Sequence, residues 1–162
     1  MATRPGSSAS ASDAVKPRNA LRLDRYLGRR FVYPVHRSLY RMTGGVVGHR
    51  TPEGTVLLLT TIGRKTGQRR TQPLLYLKEG DAFVVVASNG ARDRHPAWYL
   101  NVQANPEVEL RAGRTRVKAR ASVATPEEKA RLWPKLTDYY KGWAYYQTQT
   151  DREIPVVVLQ PG

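Results

Sequence analysis

The sequence predicts a mainly β protein with helical insertions (an α+β chain). Its strands are expected to form a closed or partly split antiparallel barrel. Three observations carry this expectation. Apolar runs at 57–59 and 74–77 flank a short turn that holds two glycines. Residues 115–123 alternate apolar and polar side chains, the mark of a half-exposed antiparallel strand. Segments of strand character joined by short turns outnumber the helical ones. With 162 residues, the chain suits one domain around a single core.

Composition narrows the function. A formal charge of +14, from 27 basic and 13 acidic side chains, implies an anionic partner. Nucleic acid, a membrane surface, and a phosphorylated or carboxylated ligand all qualify. There are no cysteines, which excludes disulfides, thiolate metal sites and thiol nucleophiles. His36, His49 and His95 show no metal-ligand spacing, so no metal is expected. No apolar run approaches the roughly 18 residues of a membrane-spanning helix. No secretory h-region precedes a cleavage site. The default compartment is therefore the cytoplasm.

The elements follow in order. Residues 1–19 are rich in Ala, Ser, Pro and Gly and read as a disordered tail. Residues 20–45 form a basic amphipathic segment, expected to be helical to about Tyr33. Leu23, Leu27 and Phe31 share one side of it, Arg22, Arg25 and Arg29 another. Ten of the 27 cations fall in residues 1–50 against only Asp13 and Asp24. An anionic membrane surface is one partner for such a segment, which would place the chain on the inner face of the cell membrane. Packing on the domain with a solvated basic face is the other reading. Residues 46–162 make the barrel. Strands are expected at 55–61, 70–78 and 82–88, with Pro73 at an edge, at a bulge or where a ligand replaces the pairing. A loop at 88–90 leads to a short helix from Pro96 to about Val102. A hairpin over 108–111 and 115–123 turns at Ala112 and Gly113. Thr125, Pro126 and Glu128 fit a capping box that starts a helix reaching about Tyr140, with Pro134 an irregularity. Residues 155–159 close the chain as a strand.

Chemistry concentrates in the turn from Gly63 to Arg70. Arg64, Lys65, Arg69 and Arg70 stand among Gly63 and Gly67. Glycines let backbone amides approach an anion, and the cations neutralise it. A phosphate fits. The Walker pattern does not, because its Gly-Lys-Ser/Thr ending is missing. An ordinary solvated basic turn is the plain alternative. Trp98 and Tyr99 read equally as core anchors. At helical spacing Tyr139, Tyr140, Trp143 and Tyr146 would share a face, as a core stripe or as a wall over a flat ring.

Three segments in order resemble the deazaflavin (F420)-dependent nitroreductase family. They are the Gly63-to-Arg70 turn with Gln72-Pro73-Leu74, then Ala87-Ser88-Asn89-Gly90 with the Pro96-to-Asn101 helix and Asn105-Pro106, and last Tyr140 to Tyr146 with residues 150–155. The likeness covers roughly residues 50–160. It implies a split, FMN-binding-like antiparallel β-barrel that binds coenzyme F420. Lys65 and Arg70 match positions that grip the cofactor's phosphate, with Arg64 and Thr66 beside them. Gln72 and Pro73 match the deazaflavin ring edge. Ala87, Ser88, Asn89 and Gly90 match the loop against the cofactor. Trp98 and Asn101 match the helix that closes the site. Ser88, Tyr140, Trp143 and Tyr146 match the reacting end. Asn89 stands where many members carry Lys, and Trp143 where the best-known members carry Tyr.

The resemblance implies an enzyme that passes a hydride from reduced F420 to a small hydrophobic, electron-poor acceptor. A quinone, an enone and a nitroaromatic are the candidates. The cofactor carries the hard chemistry, so no nucleophile or acid–base signature is needed. Residue chemistry alone leaves F420 and FMN open, since both offer a phosphate and a tricyclic ring. It also leaves a non-catalytic carrier open. Nucleic acid is not expected, because the exposed strand 114–120 has cations but no stacking aromatics.

Overall fold

Strands of this chain close on themselves. The computed structural model describes residues 50–51 and 54–162. The expected tail at 1–19 and amphipathic segment at 20–45 lie outside the described residues. Seven strands appear among the described residues: β1 (Arg50–Thr51), β2 (Gly54–Ile62), β3 (Arg69–Glu79), β4 (Ala82–Val86), β5 (Glu107–Ala112), β6 (Thr115–Val123) and β7 (Val156–Pro161). Their order is β1-β2-β3-β4-β7-β6-β5, and a further β2–β5 pairing joins the ends. Six antiparallel strands therefore make a closed barrel, with β1 an appendage on β2. Among the described residues three helices are inserted: α1 (Ala97–Ala104), α2 (Pro126–Tyr139) and α3 (Gly142–Gln147).

Alternation along the strands builds two cores. Leu57, Leu59, Phe83, Val85, Leu110, Ala119, Val157 and Leu159 point inward, and Trp98, Tyr99 and Val102 of α1 join them as a plug. The opposite faces of β4 and β7, through Val84, Val86 and Val156, pack outward against Leu132 and Leu136 of α2 and Trp143 of α3. Strand β4 is buried on both faces, which is why its sequence is an unbroken apolar run. The capping box forms as its sequence pattern predicts. Thr125 Oγ1 accepts from Glu128 N, and Glu128 Oε2 accepts from Thr125 N.

The structure makes four sequence expectations specific. Strand β4 stops at Val86 rather than residue 88, because residues 89–91 adopt positive φ and turn the chain away. Pro73 sits within β3 opposite Leu58. There β3 pairs only with β2, since its pairing with β4 begins at Tyr76. The missing N–H thus meets the edge condition. Pro134 does not end α2, which runs through it to Tyr139. The aromatic stretch is not one helix: the chain breaks at Tyr140, and α3 restarts at Gly142. A side chain at Gly142 would collide with the Tyr140 ring.

Tyr139 ties the outer layer to the barrel. Its hydroxyl lies 2.6 Å from both Thr55 N and Thr55 Oγ1. Leu136 is fully buried beneath it. Leu136→Ala is expected to cost about 2–5 kcal/mol of unfolding free energy, read from denaturant melts with an unchanged m-value.

Candidate functional site

The turn between β2 and β3 is shaped by its backbone. Gly63 N donates to Gln68 O at 2.8 Å, closing the loop, and Gly67 N donates back to Gly63 O at 2.7 Å. Gly67 takes a φ of 67°, which disfavours a side chain there. A side chain at Gly63 would press on Thr66 Oγ1 and the Gln68 carbonyl. Asn101 of α1 braces the turn from below. Its Oδ1 accepts from Arg64 N and Arg64 Nη1, both at 3.2 Å, and its Nδ2 donates to Thr61 Oγ1 at 3.1 Å. At 4% exposure Asn101 is a buried amide with partners at both ends. This explains a poor helix former inside a short helix.

Around this turn lies a cleft of about 940 Å³. Arg64, Lys65, Thr66, Arg70, Gln72, Trp98 and Asn101, all named from sequence, line it together. So does Arg69, a cation of the predicted anion-binding turn, together with Arg111, Arg116, Glu109, Thr60 and Thr71, which sequence reasoning gave no role. The cleft thus holds six cations and one carboxylate. That carboxylate is shared: Arg69 Nη2 and Arg116 Nη2 reach Glu109 Oε2 at 2.7 and 2.8 Å. Hydrogen bonds from Arg69 and then Arg116 hold Glu109 down at about 2, well below its ordinary 4.5. Gln72 Nε2 is buried at the cleft and has no hydrogen-bond partner among the described residues. An anion and a carbonyl-bearing ring suit this donor set of cations and an amide donor that has no partner among the described residues.

Ala87, Ser88, Asn89 and Gly90 are not among the residues that line the cleft. Ala87 is fully buried, while Ser88, Asn89 and Gly90 are half-buried. Asn89 (φ 50°), Gly90 (φ 63°) and Ala91 (φ 61°) are consecutive left-handed residues. Asn89 Nδ2 donates to Arg94 O at 2.9 Å, so this side chain holds its own loop. Arg152 lies behind the loop and donates to its carbonyls. Its Nη1 also lies 3.3 Å from His95 Nδ1. Arginine has no acceptor, so Nδ1 must accept and His95 carries its proton on Nε2. Burial first, then the Arg152 charge, pushes the His95 imidazole below its ordinary value.

The aromatic group belongs to the outer core. Trp143 is 4% exposed in the outer core, 5.4 Å from the Tyr140 ring and 6.4 Å from the Tyr139 ring. The indole packs in the core, as the core-stripe reading of this aromatic group has it. Tyr140 and Tyr146 are half-buried at the margin of that core, their centroids 6.5 Å apart. Neither they nor Ser88, Pro73 or Gly90 are among the residues that line the cationic cleft.

Closure by six antiparallel strands around helical insertions places the chain among the split β-barrels. The family model of the F420H(2)-dependent quinone reductases matches residues 32–161, and the chain belongs to that family. It is 42% identical over 141 residues to an F420H(2)-dependent quinone reductase of Mycobacterium tuberculosis, covering 85% of this chain and 94% of that one. A solved F420-H2-dependent reductase is 38% identical with a TM-score of 0.61, over 65% of this chain and 93% of the other. A second solved chain, described as a domain-swapped dimer, is 34% identical with a TM-score of 0.64, over 78% and 96%. The chain is accordingly an F420-dependent oxidoreductase on a split antiparallel barrel.

Two outcomes test this geometry. Asn101→Ala strands Thr61 and the Arg64 amide, and about 1–3 kcal/mol of stability is expected to go, read from urea melts. Glu109 has a depressed pKa, so its contribution to stability is present above 4.5 and is lost as pH falls through about 2. Carbon-13 NMR of its carboxyl should show that low midpoint, and Arg69→Gln with Arg116→Gln should return it toward 4.5.

Proposed function

We propose that this chain reduces a quinone with F420H2 held by the cationic turn, and that the six-cation cleft with its unpaired Gln72 amide carries that assignment. When bound, the cofactor supplies the hydride. The chain's residues bind, orient and shield. Lys65 and Arg70 grip the phosphate, with Arg64 and Thr66 completing the anion site through charge-assisted bonds. Gln72 donates its free amide hydrogen to a ring oxygen, and Pro73 offers an edge free of N–H. Trp98 forms an apolar floor. The loop of Ala87, Ser88, Asn89 and Gly90 closes over the ring edge. Asn101 acts one step back, by fixing the turn. Asn89, standing where many members have Lys, braces its own loop instead of adding a cation.

The acceptor end follows from the remaining polar groups. Ser88, Tyr140 and Tyr146 carry hydroxyls able to donate to an acceptor oxygen as negative charge develops on it. Trp143 backs Tyr140 from the core. Neutral hydroxyls suit quinones, enones and nitroaromatics alike, and the family favours the quinone. Peripheral attachment to an anionic membrane through residues 20–45 would bring the chain to a lipid-soluble quinone. Among the described residues, no helix is long and apolar enough to cross a membrane.

Fluorescence titration with F420 tests the anion site. Lys65→Ala with Arg70→Ala is expected to weaken binding by about 100-fold or more, since each removes a charge-assisted bond. Wild-type affinity should fall with added salt. A double variant that binds like wild type moves the phosphate elsewhere. For the membrane, cosedimentation with anionic vesicles compares full-length chain with a truncation starting near residue 45. Equal binding by the two would remove residues 20–45 as the attachment.

A further inference from the structure

We propose that Arg152 is a positioning residue for the reaction: gripping the chain on both sides of Ser88, it fixes the left-handed turn that presents the Ser88 hydroxyl. The inference rests on the acceptor-end role proposed for Ser88. Arg152 Nη2 donates to Ser88 O at 2.7 Å and to Ala87 O at 3.2 Å. Its Nε donates to Arg92 O at 2.8 Å. One planar guanidinium thus spans the loop from residue 87 to residue 92. Ser88 O also accepts from Ala91 N at 3.0 Å, which closes the turn. The Ser88 hydroxyl makes no hydrogen bond to any described residue, so the residue is held by its backbone and its side chain is left for a ligand.

The turn needs holding. Alanine disfavours the left-handed region, yet Ala91 occupies it directly after Asn89 and Gly90. Arg152 is itself anchored. Gln147 Nε2 donates to Arg152 O at 3.0 Å, and Gln147 Oε1 accepts from Ile154 N at 2.9 Å. Ile154 is fully buried in the outer core. The hold on Ser88 therefore runs from α3 through Gln147 and Arg152 to the loop. Lysine keeps the charge but cannot reproduce three directed bonds from one plane.

Three readouts test this. In cofactor-free protein, Arg152→Lys is expected to speed amide exchange of residues 88–92 by about tenfold and leave the 63–68 turn unchanged. In turnover, the same change is expected to lower kcat about tenfold while the F420 dissociation constant stays within about threefold, because the anion grip is elsewhere. In a Ser88→Ala background, Arg152→Lys should lower kcat no further, since the two act as one unit. Equal losses in both backgrounds would overturn the positioning role, as would unchanged loop exchange. Ser88→Ala with wild-type kcat and intact F420 binding would instead sink the role given to Ser88, and this inference with it. Should Arg152→Lys not fold, the same cycle is run on Arg152→Gln, which keeps a planar donor but cannot span the carbonyls of Ala87, Ser88 and Arg92.

Discussion

Everything in the site depends on strand β2 being paired on both sides. One edge of it runs against β3 from Val56 to Ile62, the other against β5 from Leu57 to Thr60. Closing the barrel through β2 sets β5 and the β2–β3 turn at the same place. That closure puts Glu109 within reach of Arg69, 40 residues away in sequence. Without it the turn would be a solvated hairpin tip with four cations and nothing opposite. With it, the turn and the outward face of β5 share one cleft. The inward plug of Trp98, Tyr99 and Val102 then brings Asn101 under Arg64.

Six cations in one cleft repel one another, and the chain offsets this in two ways. Glu109 is clamped by two arginines, which removes part of the repulsion and fixes both guanidiniums. Asn101 spends its carbonyl on the Arg64 amide and side chain, orienting that cation without neutralising it. The surplus that remains is the driving force for an anionic ligand. Water screens such exposed charges and weakens each pair. The cleft's value for binding therefore lies in the number of charges aimed at one volume rather than in any single contact.

Local features were legible and long-range ones were not. Strict alternation announced β6, and the capping box announced the start of α2. The paired glycines announced the turn. Lys65, Arg70, Gln72, Trp98 and Asn101 could be named because they lie in short motifs. Arg111, Arg116 and Glu109 could not, because only the β2–β5 pairing makes them neighbours of that turn. Arg152 stood inside a recognised segment, yet its work depends on reaching carbonyls some 60 residues earlier. Nothing in an arginine's own surroundings announces backbone carbonyls as its partners. For Trp143 the sequence left two readings open, core stripe or wall, for the reverse reason. Helical spacing gathers aromatics on a face but does not say whether that face meets solvent or core, and α2 with β4 and β7 supply the core.

The proposed assignment separates holding from reacting. Cations collect at the turn, where a cofactor's non-reacting anionic end can be gripped hard. Such binding energy orients the ring but does not by itself favour the transition state. The Ser88 loop and the Tyr140–Tyr146 margin carry neutral hydroxyls instead. A fixed cation touching the reacting oxygen would bind the reduced, anionic product tightly and slow its release. A hydroxyl held in place stabilises developing charge and lets the neutral product go once it is protonated. On this reasoning the nearest cation belongs one layer back, turned toward backbone carbonyls. Arg152 sits in that position, gripping the loop behind Ser88.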